Sequence, residues 1–236
     1  MRFGVCAPIS EAARLYKIGF DYVEVSAASL AAMTEEEFAA FCAENRAAPI
    51  HAEAANCLFP GEIRLTGDAV DTDAVQSYID RVMARLGDAG IGIAVFGSGG
   101  SRRVPEGFSE TRALEQLRDT ARRLGEAAAA HGVTVVLEPL RRAETNILNT
   151  QPESLAFVQS VGHPHFKLLC DYYHLVVECG TPEMVAACGD ALRHVHIANP
   201  DGRVAMKPDD KADYKAFFDA LRRAGYLELD QSFVVK

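Results

Sequence analysis

Short apolar runs rich in β-branched and aromatic residues alternate along this chain with longer segments whose apolar positions recur at helical spacing. The strand-like runs cover residues 2–6, 21–25, 50–54, 91–96, 134–138, 167–171, 194–198 and 227–230. The helix-like segments fall near 11–18, from 34 onward, and over 71–88, 109–131, 152–161, 182–188 and 210–224. Thr34 and Glu37 have the spacing of a capping box. Gly132 stands where a helix would end in left-handed backbone. A loop over 56–67, carrying Pro60 and Gly61, separates the third strand from the long helix after it.

Regular alternation of this kind predicts parallel strands joined by helical crossovers. Eight units favour a closed α/β barrel of the TIM (β/α)8 type over an open doubly wound sheet. The open sheet's nucleotide signature, GxGxxG after the first strand, is absent, because Gly4 stands alone there. The 236 residues match a single barrel domain over 1–236. Little chain follows the last predicted strand, so the expected barrel lacks its last helix, and that edge could pair with a second copy in a homodimer.

Composition narrows the function. A net charge of −9 argues against a nucleic-acid partner, which needs a basic face. No apolar run approaches the ~20 residues of a membrane span, and Met1-Arg2 leads directly into a strand-like run, so neither a membrane partner nor a signal peptide is expected. The six cysteines form no CxxC pair and read as reduced thiols of a cytoplasmic protein.

Chemistry in such a barrel sits at the carboxyl ends of the strands. Those ends offer Glu24, Glu53 with Asn56, Glu138, Asp171, His194 with His196, and Glu228 with Asp230. Carboxylates gathered at one mouth need a cation or hydrogen bonds to offset their desolvation. Glu138, Asp171, His196 and one further carboxylate would make an oxygen-rich set with one imidazole. That set suits a single Mn²⁺, Mg²⁺ or Co²⁺ better than a closed structural zinc site, with zinc as the remaining option. Singly, each group has an ordinary reading as a helix cap, an arginine partner or a core histidine. Residues 97–103, Gly-Ser-Gly-Gly-Ser-Arg-Arg, could cradle a phosphate or form a solvated loop. Arg141 and Arg142 could pair with the acidic mouth, and Phe59 and Phe108 could wall a sugar or simply pack.

The run Val136-Leu137-Glu138-Pro139-Leu140-Arg141-Arg142-Ala143-Glu144 resembles the sugar phosphate isomerase/epimerase family, the xylose isomerase-like barrels, and within it the ketose 3-epimerases of the D-tagatose/D-psicose type. Asp171-Tyr172-Tyr173-His174 is similar to the family's D-x-x-H, and His194-Val195-His196 with Arg203 to its seventh-strand motif. Loops 55–61 and 95–100 also read like this branch. The resemblance implies a metal-dependent epimerase or isomerase of a sugar or sugar phosphate, working by proton abstraction beside a carbonyl through an enediolate. It implies Glu138, Asp171, His196 and Asp230 as metal ligands. Glu138 and Asp230 would be the acid/base pair, and Glu144, His174 and Arg203 the substrate contacts. Family members usually close with a Gly-Tyr loop, a short strand and a terminal Glu. Here Gly225-Tyr226 runs directly into Leu-Glu-Leu-Asp, which puts Asp230 at the ligand position with Glu228 as rival. An inosose dehydratase-like lyase and a catalytically impaired sugar-binding barrel are the competing functions. An endonuclease IV-like repair enzyme is disfavoured by the acidic charge.

Overall fold

The computed structural model describes residues 2–226 and 232–235, with Ser232 and Phe233 described through their backbone alone. In chain order the first half of the molecule is β1 (Arg2–Cys6), α1 (Ala12–Lys17), β2 (Tyr22–Ser26), α2 (Ala27–Ala32), α3 (Glu35–Ala47), β3 (Ala52–Asn56), α4 (Thr72–Asp88), β4 (Ile93–Phe96), α5 (Gly99–Arg102) and α6 (Glu110–Ala130). The second half is β5 (Thr134–Leu137), α7 (Gln151–Val161), β6 (Phe166–Asp171), α8 (Tyr172–Val177), α9 (Pro182–Ala186), β7 (Leu192–Ile197), α10 (Tyr214–Arg223) and β8 (Ser232–Val235). All eight strands are parallel and close in sequence order, with β8 pairing both β7 and β1. The expected TIM barrel is therefore the fold.

One expected element moves. Among the described residues, the strand that closes the barrel is Ser232–Val235, where the sequence pattern predicts 227–230. Residues 227–231, which include Glu228 and Asp230, lie outside the described residues. The third strand also sits two residues later than expected, at Ala52–Asn56.

Period-two alternation builds the barrel interior in layers. Tyr22, Ala54 and Val234 form one buried apolar cluster, and Val95, Val136 and Leu169 another, with Ile93 packed against both. These side chains plug the barrel. Gly4 is part of the plug, because a Cβ there would overlap the Tyr22 ring. Two positions further along their strands the inward-facing residues become Glu24, Asn56, Gly97, Glu138 and Asp171, and register places Asp171 beside His196. A polar floor thus lies directly on an apolar base. The other strand face packs on the helices. The alanine-rich face of α6 (Ala113, Leu117, Ala121, Leu124, Ala128) is fully buried there.

Local chemistry fixes where the helices start. Thr34 and Glu37 form the expected reciprocal capping box on α3, and Thr150 with Glu153 forms a second on α7. Asp171 caps α8 by accepting from the Tyr173 amide at 2.8 Å, so the short helix carrying His174 begins at the strand end.

Candidate active site

Strand register alone brings four strands' polar residues to one point at the carboxyl end of the barrel. Glu24, Glu138, Asp171, His174, His194 and His196 are each 4% exposed or less. Two sets of potential ligand atoms lie within 4.8 Å of one another, Glu138 with Asp171 and His174, and Glu24 with His194 and His196. His196 joins them. Its Nδ1 faces Glu138 Oε1 at 3.2 Å and its Nε2 faces Glu24 Oε2 at 3.0 Å.

Glu24 is a hub of hydrogen bonds. Its Oε2 accepts from His194 Nε2 at 2.9 Å and from His196 Nε2. Its Oε1 accepts from Asn56 Nδ2 at 3.0 Å and from the Cys6 thiol at 3.5 Å. Burial works to raise the Glu24 carboxyl. The pull of His196 and the hydrogen bonds from both imidazoles overcome it and hold the group well below the ordinary carboxylate range. When His196 is neutral and gives its Nε2 proton to Glu24, the ring turns a lone pair from Nδ1 toward the Glu138 carboxylate. Two electron-rich atoms 3.2 Å apart need a proton or a cation between them. The donor set of Glu138, Asp171 and His196 therefore fits a divalent ion.

Above this floor stands a cluster of longer side chains. Glu144 Oε1 accepts from Arg141 Nε and from Arg203 Nη1, both at 3.0 Å. Both guanidinium groups also lie over the Tyr173 ring. His174 Nδ1 accepts from the Arg141 amide at 3.2 Å, which leaves the proton of the neutral ring on Nε2. Burial pushes this imidazole down, against the pull of Asp171, Glu138 and Glu144. Arg203 Nη2 lies 3.1 Å from that same Nε2. The contact joins two donors, and an oxygen acceptor held by both would relieve it.

The structure brings together Glu138, Asp171, His196, Glu144, His174 and Arg203, while Asp230 and Glu228 lie outside the described residues. Glu53 does not join them. It pairs with Arg2 toward the opposite end of the barrel, because it stands near the start of β3 and Asn56 at its carboxyl end. Arg142 leaves the mouth for Glu178. The glycine-rich stretch is helical from Gly99 to Arg102. It forms α5, and Arg102 turns inward, fully buried, donating from Nη2 to the Glu138 carbonyl at 2.8 Å. Burial lowers this guanidinium to about 10, against the pull of Glu138 and Glu144. Phe59 packs against Tyr78 and Phe96. The sequence reading placed Glu24 at a strand end without giving it a role. The two histidines two residues apart on β7, both inward-facing, were the signal that a buried acid had to meet them.

A family model described as a xylose isomerase-like TIM barrel matches residues 12–233. The chain belongs to that family. Among similar proteins of this xylose isomerase-like barrel is an L-ribulose 3-epimerase of Methylomonas sp. (strain DH-1), 38% identical over 105 residues, which are 44% of this chain and 36% of that protein. An L-ribulose 3-epimerase of Mesorhizobium japonicum is 31% identical over 184 residues, 73% of this chain and 57% of that protein. The chain thus spans between about a third and three fifths of these relatives' lengths. A solved D-psicose 3-epimerase, crystallised in the presence of D-fructose, superposes with a TM-score of 0.87 over 100% of this chain and 84% of that one, at 19% identity, a likeness of fold. Among the described residues, no helix is long and apolar enough to cross a membrane.

Proposed function

We propose that this barrel is a metal-dependent epimerase or isomerase of a sugar or sugar phosphate. The observation that carries the reading is the gathering of Glu138, Asp171 and His196 at the barrel mouth, with Glu138 Oε1 3.2 Å from His196 Nδ1. Glu138, Asp171 and His196 would hold one Mn²⁺, Mg²⁺ or Co²⁺. When bound, such an ion supplies Lewis acidity that stabilises negative charge developing on a carbonyl oxygen. Glu138 acts as the base that removes the carbon-bound proton, using the carboxylate oxygen not engaged in ligation. Arg203 and His174 hold a substrate oxygen between their two donor nitrogens, and Glu144 accepts from a neighbouring hydroxyl. The arrangement of Arg141, Glu144 and Arg203 implies that an entering sugar replaces existing ion-pair contacts, so binding exchanges partners and leaves no charge bare.

The family resemblance gives the second acid/base role to Asp230, with Glu228 as rival. Asp230→Asn and Glu228→Gln decide this: a loss of more than about a hundredfold in kcat from one variant alone identifies the group. Equal and negligible effects remove both.

The decisive experiment incubates the protein with L-ribulose, D-psicose or D-tagatose in D₂O with added Mn²⁺. The expected result is deuterium at the carbon beside the carbonyl without loss of water, abolished by chelation and by Glu138→Gln. A dehydrated product would transfer the reading to a lyase. Sugar binding with no exchange would leave a sugar-binding barrel in place of an enzyme.

A further inference from the structure

Glu24 is a buried ionisable group in the barrel that the reaction leaves without a role. It is 1% exposed and spends both carboxylate oxygens on donors from β1, β3 and β7. Both oxygens are thus already engaged. We infer that Glu24 is a positioning residue that fixes His196 as the Nε2–H tautomer and turns its Nδ1 lone pair toward Glu138.

The geometry argues it in three steps. The separations of 2.9 and 3.0 Å from Oε2 to the two imidazole nitrogens are those of charge-assisted hydrogen bonds. An ionised carboxylate only accepts, so each imidazole must present Nε2–H to it. Asn56 and Cys6 donate to the other oxygen, which keeps the carboxylate from rotating away. A ring held at Nε2 in this way has a fixed orientation and a more basic Nδ1, as carboxylate–histidine pairs behind metal ions show generally. The competing assignment makes Glu24, His194 and His196 a cation site of their own. That arrangement would require the ion to displace both hydrogen bonds to Oε2.

The consequence for ion affinity rests on the metal reading above, whereas the tautomer does not. The test uses the whole chain labelled with ¹⁵N-histidine and stripped of metal. Long-range ¹H–¹⁵N correlation should show that His196 retains its proton on Nε2, and a ring that retains the Nδ1 proton instead overturns the inference. Calorimetric titration with Mn²⁺ should then give one ion per chain in the wild type. Glu24→Gln, whose amide cannot accept at both oxygens, should weaken binding about 10- to 100-fold at the same stoichiometry. Affinity unchanged to within about twofold in Glu24→Gln overturns the inference, as does a second ion lost on substitution. If Glu24→Gln fails to fold, the wild-type tautomer still decides. A wild type that binds no Mn²⁺ removes the metal reading and leaves the tautomer to settle the role of Glu24.

Discussion

At the residue scale the site depends on space as much as on charge. Gly97 follows β4 at the inward-facing position, and a Cβ there would overlap Glu138 Oε2. The glycine that looked like part of a phosphate loop is therefore a clearance for the carboxylate. Gly97→Ala forces Glu138 to shift, and overpacking at a buried site costs about 1–3 kcal/mol. The expected outcome is a lower unfolding midpoint in urea together with weaker Mn²⁺ binding and slower solvent exchange at the substrate carbon. Loss of stability with ion affinity intact would mean that Glu138 moves without its oxygens mattering to the ion. Arg102 makes the same point from the opposite side, because its cation is enclosed and donates to the Glu138 carbonyl. Residue type and strand position made Glu138, Asp171 and His196 legible in the sequence. Glu53 was misassigned because the third strand begins two residues later than its apolar pattern suggests, which puts Glu53 near the strand's start. Its neighbour on the opposite face, Asn56, is the residue that reaches Glu24.

At the element scale the loop that carries Glu144 is held by the start of α7. Thr150 accepts from the Glu153 amide, and Glu153 Oε2 accepts from the amides of Thr150 and Asn149 at 3.0 Å each. Asn149 then donates to the carbonyls of Leu140 and Thr145, which bracket Glu144. Thr150→Ala removes the cap and should cost about 1 kcal/mol, read as a lower urea midpoint with an unchanged slope. Because Asn149 keeps its own bonds, KM for the sugar should rise only slightly; a large rise would show that the cap also sets Glu144. The long helices and most strands were readable because their apolar periodicity is sustained. The short helices α2, α5 and α8 were not, since α2 and α8 begin at the residue after a strand and α5 three residues past one, with no long loop to mark their start. The closing strand was misplaced because Leu-Glu-Leu-Asp alternates as a half-buried strand does. The run Phe233-Val234-Val235, which fits a strand covered on both faces, was the better signal.

At the scale of the whole molecule, the layer of charge at the mouth is supported by a core that excludes water from its own ionisable groups. Cys42, Cys170 and Cys188 are buried thiols. Burial pushes Cys188 up from 9.0 to about 11, Cys170 well above its ordinary value and Cys42 upward. Below pH 9 these thiols keep their protons in both folded and unfolded chains, so they add no pH dependence. Between pH 9 and about 11 the unfolded chain releases the Cys188 proton while the folded chain holds it. Stability therefore falls as pH rises through that window, by about 3 kcal/mol for this thiol at about 1.4 kcal/mol per pH unit. Cys188→Ser keeps a donor for the Met184 carbonyl, which the thiol meets at 3.2 Å, and does not titrate in the window. Urea unfolding at pH 8, 9, 10 and 11 should give a variant that is slightly less stable than wild type at the lowest of these values and closes the gap, or crosses it, at the highest. Cys42 steepens both curves alike, and because Cys188 helps to raise Cys170, the difference between the curves reads Cys188 together with its coupling to Cys170. Parallel curves across the series would place the Cys188 thiol in contact with water and would remove this strand-and-helix seam from the sealed core on which the buried carboxylates depend.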